Sequence, residues 1–274
     1  MIVLGPLLTT ALRPQSQLRN SPYISFFFLY DLLFVVMLIK MDDNILRAVG
    51  DLRRGRPVLI FDFEDRERET DIVFLAETVD YRSVQVLRRD AGGLICIAVH
   101  NDIADVLRLP FLRELLKLHS GNLECIYTKP LPYDERSSFS ITINHVDTFT
   151  GITDRDRALT ISRFGQLCRD FWSKRIDAET LRDRFINEFR SPGHVFLLRA
   201  AKNLIFDRTG HTELSLALAL LGGLTPCTVI AEMLGDDGYS LGPKDARRYA
   251  EEHDLVFLTG KEIVEAYKRR FSRG

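Results

Sequence analysis

Residues 65–71 read DRERETD, six charged side chains in seven positions directly behind the apolar run PVLIF. Carboxylates held a few ångströms apart repel one another unless a cation or a shared proton relieves them. A hard divalent metal does so, and Mg²⁺ characteristically takes one or two carboxylates together with water and substrate oxygens. In an extended segment Glu67 and Glu69 project to the same side. The plain alternative is a solvated loop whose acids are neutralised by Arg66 and Arg68. A second group, RTGHTE at residues 208–213, opens a helical pattern. Free N–H groups and the positive end of the helix dipole favour an anion there. A phosphate would meet Arg208, the Gly210 backbone and the Thr212 hydroxyl. His211 is a metal ligand or proton carrier beside them, or else a capping or core histidine. Glu232 closes the apolar run CTVIAE, where a carboxylate is costly to bury without a partner. His194 follows a Pro-Gly pair in SPGHVFLL, at a loop edge.

These residues need a scaffold that brings distant segments together. PVLIFDF and SFSITINHV read as strands; in the latter Phe139, Ile141 and Ile143 alternate with Ser140, Thr142 and Asn144. Residues 71–79 show apolar positions at helical spacing and predict a helix, with Asp71 as an acid at its N-terminus, and VQVL predicts a strand. Residues 102–119 predict a helix broken near Pro110. Further helices are expected over 45–52, 178–189, 212–223 and 243–253, and at the C-terminus, with strands at CTVIAEML and LVFLT. Alternation of strands and helices without a linker predicts one α/β domain over residues 41–274.

The chain has 274 residues, of which 46% are hydrophobic and 27% charged, with a formal charge of −1. That suits a globular protein and supplies no whole-molecule field for nucleic acid or an anionic membrane. Cys96, Cys125, Cys168 and Cys227 are scattered without metal spacing and read as reduced thiols of an intracellular protein. Residues 21–40 are strongly apolar, but Asp31 interrupts them and no small-residue cleavage site follows. Met41, followed by the capping Asp42 or Asp43, resembles a natural start. Residues 1–40 are therefore expected to be a non-native or disordered extension, not a membrane anchor.

In order and wording, five segments resemble the 3,4-dihydroxy-2-butanone-4-phosphate synthase family of riboflavin biosynthesis. They are FEDRERETD, TGITDRDR, SPGHVFLL, RTGHTE and the glutamate at Glu232. Thr70 stands where the family usually has glycine, and DAGGLIC departs from the family's T-S-G-x-x-C loop at Asp90 and Ala91. The resemblance implies an α/β (α+β) single domain, a mixed β-sheet flanked by helices in three layers. It implies a cytoplasmic lyase converting D-ribulose 5-phosphate into L-3,4-dihydroxy-2-butanone 4-phosphate and formate. The cofactor expected is Mg²⁺ or Mn²⁺, two ions per site, with Glu67 and His211 as ligands. His194, Glu232 and Glu69 are expected to be catalytic, and Arg66, Asp71, Thr150, Arg208, Gly210 and Thr212 to bind substrate. The partner expected is a second copy in a homodimer, with no nucleic acid and no membrane. A different metal-dependent phosphosugar enzyme and a non-catalytic phosphate-binding module are the rival classes; loss of the acids, His194 or Glu232 would have marked the latter, and all are present.

Overall fold

The structure, a computed structural model, describes residues 42–118, 129 and 131–271. The expectations for residues 1–40 and for Cys125 lie outside them. The fold is an α/β sandwich of three layers, helices on each side of one mixed seven-stranded sheet in the order β4-β5-β3-β6-β2-β1-β7. The strands are β1 (Val58–Phe61), β2 (Thr70–Leu75), β3 (Cys96–Val99), β4 (Phe139–His145), β5 (Phe189–Arg199), β6 (Cys227–Glu232) and β7 (Val256–Thr259). β1 with β7 and β3 with β5 run parallel; the remaining neighbours are antiparallel.

The central strands are buried on both faces, and alternate residues feed two different helix layers. Leu59, Ile72, Phe74, Ile97, Val99, Val195, Leu197, Val229 and Ala231 share one core. It is covered by α5 (Asp154–Trp172) with Ile161, Phe164 and Leu167, and by α8 (Pro243–Glu252) with Ala246 and Ala250. On the opposite face α7 (His211–Leu221) lies between α1 (Asp43–Arg53) and α9 (Gly260–Phe271). From Leu214 onward α7 is apolar save for Ser215, and apart from Leu220 all its residues are buried. A helix of that kind must be enclosed, so its N-terminus is fixed against the sheet. α1 starts at Asp42, whose side chain accepts from Asn44 N–H at 2.9 Å.

Several local expectations are corrected. Residues 71–79 are not a helix: β2 takes up residues 70–75, and all six are buried. A strand covered on both faces needs no polar alternation, so its apolar spacing imitates a helix by accident. VQVL is helical, part of α2 (Tyr81–Val86) and the wide turn after it. Asp80 and Ser83 form a capping box there, a start signal stronger than the β-branched residues that follow. The break predicted near Pro110 is present, with two short helices, α3 (Asn101–Val106) and α4 (Leu112–Lys117), on either side of it. The strict alternation expected in β4 breaks where its register against β5 shifts, so that Ile143, Asn144 and His145 are buried in succession. The helix expected at 178–189 is α6 (Ala178–Glu188). It covers α5 through Arg184, which pairs with Asp170 at 3.1 Å, and through Phe185, edge-on to Phe164 at 5.8 Å. Among the described residues no helix is long and apolar enough to cross a membrane.

Candidate active site

The charged loop joins β1 to β2 and coils around one carboxylate. Asp62, the residue after β1, is 1% exposed. Its Oδ2 accepts the Glu67 N–H at 3.0 Å, its Oδ1 accepts the Glu69 N–H at 3.1 Å, and Arg66 donates to Oδ2 at 3.4 Å. A buried charge satisfied by two amides and a guanidinium is stable, and it fixes the course of the loop. The left-handed residue is Arg68, φ 58°. Thr70 is a paired residue of β2, opposite Phe61. The glycine usual at that position is therefore not required for a positive φ here.

Asp62 thus aims the glutamates at the start of α7. Glu67 Oε2 lies 3.1 Å from His211 Nδ1, and Glu67 Oε1 lies 2.8 Å from Arg66. On the far side of the imidazole, Nε2 is 3.2 Å from the Glu69 carbonyl and 3.6 Å from Asp71 Oδ1. Burial disfavours a charged imidazole, but Asp71, Glu67 and Asp62 outweigh it and raise the His211 pKa to about 10. Burial likewise opposes ionisation of Glu67. The hydrogen bond and charge of His211, with Arg66 and Arg208, override it and lower the pKa to about 2. Glu69 is shifted upward by burial and by the charges of Glu67 and Glu232. Asp71 is raised well above the usual carboxylate range by burial, despite His211 and with Glu232, Glu67 and Glu69 adding to it. Its Oδ1 is buried without a hydrogen bond.

Ligand atoms of Asp62, Glu67 and His211 lie within 4.8 Å of one another, so an oxygen-rich site with one imidazole is available for a divalent cation. Asp62 is already committed on both oxygens to the loop. Glu67 and His211 face each other through Oε2 and Nδ1, so a cation between them would take the place of the proton they share, and the surplus of acids beside them fits it.

Across the sheet Asp71 pairs with Glu232, which brings a second carboxylate onto the same face. Glu232 accepts the Leu94 N–H at 2.8 Å. At the helix end Gly210 is the N-cap without a capping side chain, leaving the first-turn amides uncommitted to one. A Cβ at Gly210 would lie 2.2 Å from Arg208 Nη1 and 2.8 Å from Arg66 Nη2, so both guanidinium groups pass over a position only glycine accommodates. Arg208 is held by the fully buried Glu213 at 2.7 Å and by Asp134. Glu67, Glu69, Asp71, Arg208, His211, Thr212 and Glu232 line one cavity of about 180 Å³, with Tyr133 and Phe139 on its far wall.

Two of the expected residues stand apart. His194 lies within β5, not between a turn and a strand. Its N–H donates to Asn144 Oδ1 at 2.9 Å, and its Nδ1 is 3.0 Å from Asn144 Nδ2. The register places Ile230 and Phe196 on either side of Cys96. Against β4 the register of β5 jumps from Val195–Ile143 to Arg190–Asn144, so residues 191–194, His194 among them, bulge out of the ladder. Thr150 is exposed and donates to Asp156 at 3.2 Å, next to the Gly151 N–H at 2.9 Å from the same carboxylate. Neither His194 nor Thr150 lines the cavity. Sequence reasoning missed Asp62, Asp134 and a role for Glu213. Asp62 was legible as an acid closing a buried strand; Asp134 carried no local signal.

A family model described as 3,4-dihydroxy-2-butanone 4-phosphate synthase matches residues 46–266. The chain is 48% identical over 239 residues to the 3,4-dihydroxy-2-butanone 4-phosphate synthase of Archaeoglobus fulgidus, covering 85% of this chain and 96% of the relative. To that of Methanothermobacter thermautotrophicus it is 46% identical over 224 residues, covering 80% and 94%. Among solved structures it resembles the Candida albicans synthase, with a TM-score of 0.60 and 26% identity over 82% of this chain and 98% of that one. It also resembles a 3,4-dihydroxy-2-butanone 4-phosphate synthase in complex with two magnesium ions, TM-score 0.64, covering 83% and 98%. At 23% identity that second likeness is one of fold.

Proposed function

This chain belongs to the 3,4-dihydroxy-2-butanone 4-phosphate synthase family, and we propose that it is the carbon–carbon lyase that converts D-ribulose 5-phosphate into L-3,4-dihydroxy-2-butanone 4-phosphate and formate. The five-carbon sugar phosphate is divided into a four-carbon and a one-carbon product with no oxidant or reductant. Enediol formation, dehydration, skeletal rearrangement and formate loss with uptake of one water, equal to that released in the dehydration, account for every atom. The observation that carries this reading is the approach of Glu67 and His211 to 3.1 Å inside a cavity that also holds Arg208, Asp71 and Glu232.

Glu67 and His211 would hold Mg²⁺ or Mn²⁺, with two ions per site; a protein of the same fold is known in complex with two magnesium ions. The cation would supply positive charge to neighbouring sugar oxygens as negative charge develops on them. Arg208, the Gly210 cap and the Thr212 hydroxyl hold the phosphate at the start of α7. Arg66 keeps Glu67 ionised and in place. Asp71 and Glu69, both raised in pKa, contact sugar hydroxyls and exchange protons with them. Glu232 and His194 serve as acid–base groups. These roles belong to a domain spanning residues 41–274.

The active form is a homodimer in which His194 and Thr150 of one subunit complete the cavity of the other. In support, neither residue lines the cavity of its own chain, and Phe149 and Ile152, 94% and 51% exposed, flank Thr150 with apolar surface. Incubation with ribulose 5-phosphate and Mg²⁺, followed by proton NMR, tests the reaction: formate appears and a chelator stops it. Consumption of the sugar phosphate without formate would leave only another phosphosugar activity.

A further inference from the structure

The positive charge around the phosphate cradle is already spent. Two guanidinium groups, Arg66 and Arg208, face four carboxylates, Asp62, Glu67, Asp134 and Glu213. Both guanidinium groups are already paired, so a phosphate gains one of them only where an acid withdraws. Three of the acids are committed. Asp62 holds two loop amides. Glu67 is paired with His211. Glu213 is fully buried and also accepts the Ala201 N–H at 3.0 Å.

Asp134 differs from these. It lies in irregular chain before β4, and its carboxylate accepts from Arg66 Nη2 at 3.1 Å and from Arg208 Nε. Burial opposes its ionisation, but Arg208 and Arg66 prevail and hold it below the usual aspartate range. Among the described residues its remaining polar contacts are local: Glu135 N–H donates to Oδ1 at 2.8 Å, and Leu131 N–H to its carbonyl at 3.2 Å. Its neighbour Tyr133 sits under Arg66, 5.3 Å from guanidinium to ring, and lines the cavity with Leu131, Ser137 and Ser138. A single carboxylate on a cavity-wall segment therefore bridges the arginine assigned to the phosphate and the arginine that steadies the metal-binding acid.

We propose that Asp134 is a built-in anion that occupies Arg208 until substrate arrives and that a dianionic phosphate ester displaces. A neutral sugar offers Arg208 nothing in exchange for the carboxylate, and a monoanion offers an even trade. A phosphate dianion brings two charges and further acceptor oxygens for the amides of α7, so it alone displaces Asp134 with a net gain. The inference rests on Arg208 being the phosphate ligand.

The test is titration of the full-length protein, metal removed, with inorganic phosphate, followed by calorimetry. Asp134→Asn keeps the shape and removes the charge; Asp134→Ala removes both. Each should bind phosphate roughly tenfold more tightly than the parent, and the ratio of turnover on ribulose 5-phosphate to that on ribulose should rise, because only the phosphate ester has to displace Asp134. Unchanged or weaker phosphate binding in both variants would overturn the proposal and make Asp134 a residue that merely positions Arg208. Arg208→Gln separates the two levels of the argument. It should abolish phosphate binding in either background, whereas binding that persists removes Arg208 from the phosphate site and the proposal with it.

Discussion

Glu67 and His211 define each other. Without a cation the imidazole faces oxygen on both sides, Glu67 from one and the Glu69 carbonyl with Asp71 from the other, and is held protonated. The consequence for stability follows from the signs. His211 is raised from 6.5 to about 10, so its contribution is complete below pH 6.5 and is lost as pH climbs toward 10. Glu67 is lowered from 4.5 to about 2, so its contribution is complete above pH 4.5 and is lost as pH falls toward 2. Asp71 is raised, so forcing it to ionise costs stability as pH rises above its ordinary value of 3.8. Metal-free protein should lose roughly 5–10 °C in thermal midpoint between pH 6.5 and 10, as read by calorimetry. Added Mg²⁺ should restore most of it, because a cation replaces the proton between Glu67 and His211. A melting temperature level across that range without metal would show that the pair is not charged as described. The chemistry at this scale was largely legible in the sequence. Acids in DRERETD and an imidazole at a glycine-capped helix start are informative by type alone. Asp134 was not, because a loop aspartate acquires meaning only from the arginines the fold sets against it.

Among the elements, the β1–β2 connection and the start of α7 matter most. β2 enters the sheet directly after the charged loop, so Asp71 is locked by pairing with Ile60 on one side and Glu232 on the other. A helix over 71–79, as the spacing predicts, would have swung Asp71 away from Glu232. The misreading arose because β2 is covered by α7 on one face and by α5 on the other, which erases the polar alternation that marks a half-exposed strand. The RTGHTE helix start, by contrast, was readable, since a glycine cap before an apolar run has few other uses. Asp62 is the staple of the loop, and Asp62→Asn preserves its shape while removing the charge that Arg66 and two amides share. The variant should stay folded yet bind Mn²⁺ about 10- to 100-fold more weakly, as followed by electron paramagnetic resonance. Parental affinity in Asp62→Asn would mean that the loop holds its course without the staple.

For the whole molecule, the sheet divides the expected site residues into two sets. Residues from β1–β2, α7 and β6 converge on the cavity. His194, Asn144, Thr150 and Asp156 form a separate group on β4, β5 and the approach to α5. Sequence order could not reveal that split, since both sets sit in segments that match the same family. The dimer reading predicts complementation. Glu67→Gln and His194→Ala proteins, each inactive, should regain roughly a quarter of parental turnover when unfolded, mixed in equal amounts and refolded together. Half the dimers would then be mixed, and each would hold one intact site of its two. Failure to recover any activity would place His194 and Glu67 of one chain in the same site.

The central claim is that Glu67 and His211 grip one cation on which turnover of a sugar phosphate depends. Formate released from ribulose 5-phosphate, quantified by proton NMR across a Mg²⁺ titration, tests it most directly. The parent protein should release one formate per sugar phosphate consumed, saturably in Mg²⁺. Glu67→Gln and His211→Ala, folded by circular dichroism, should fall by about a thousandfold or more. Parental turnover in either variant, or formate release that ignores a chelator, would contradict the account.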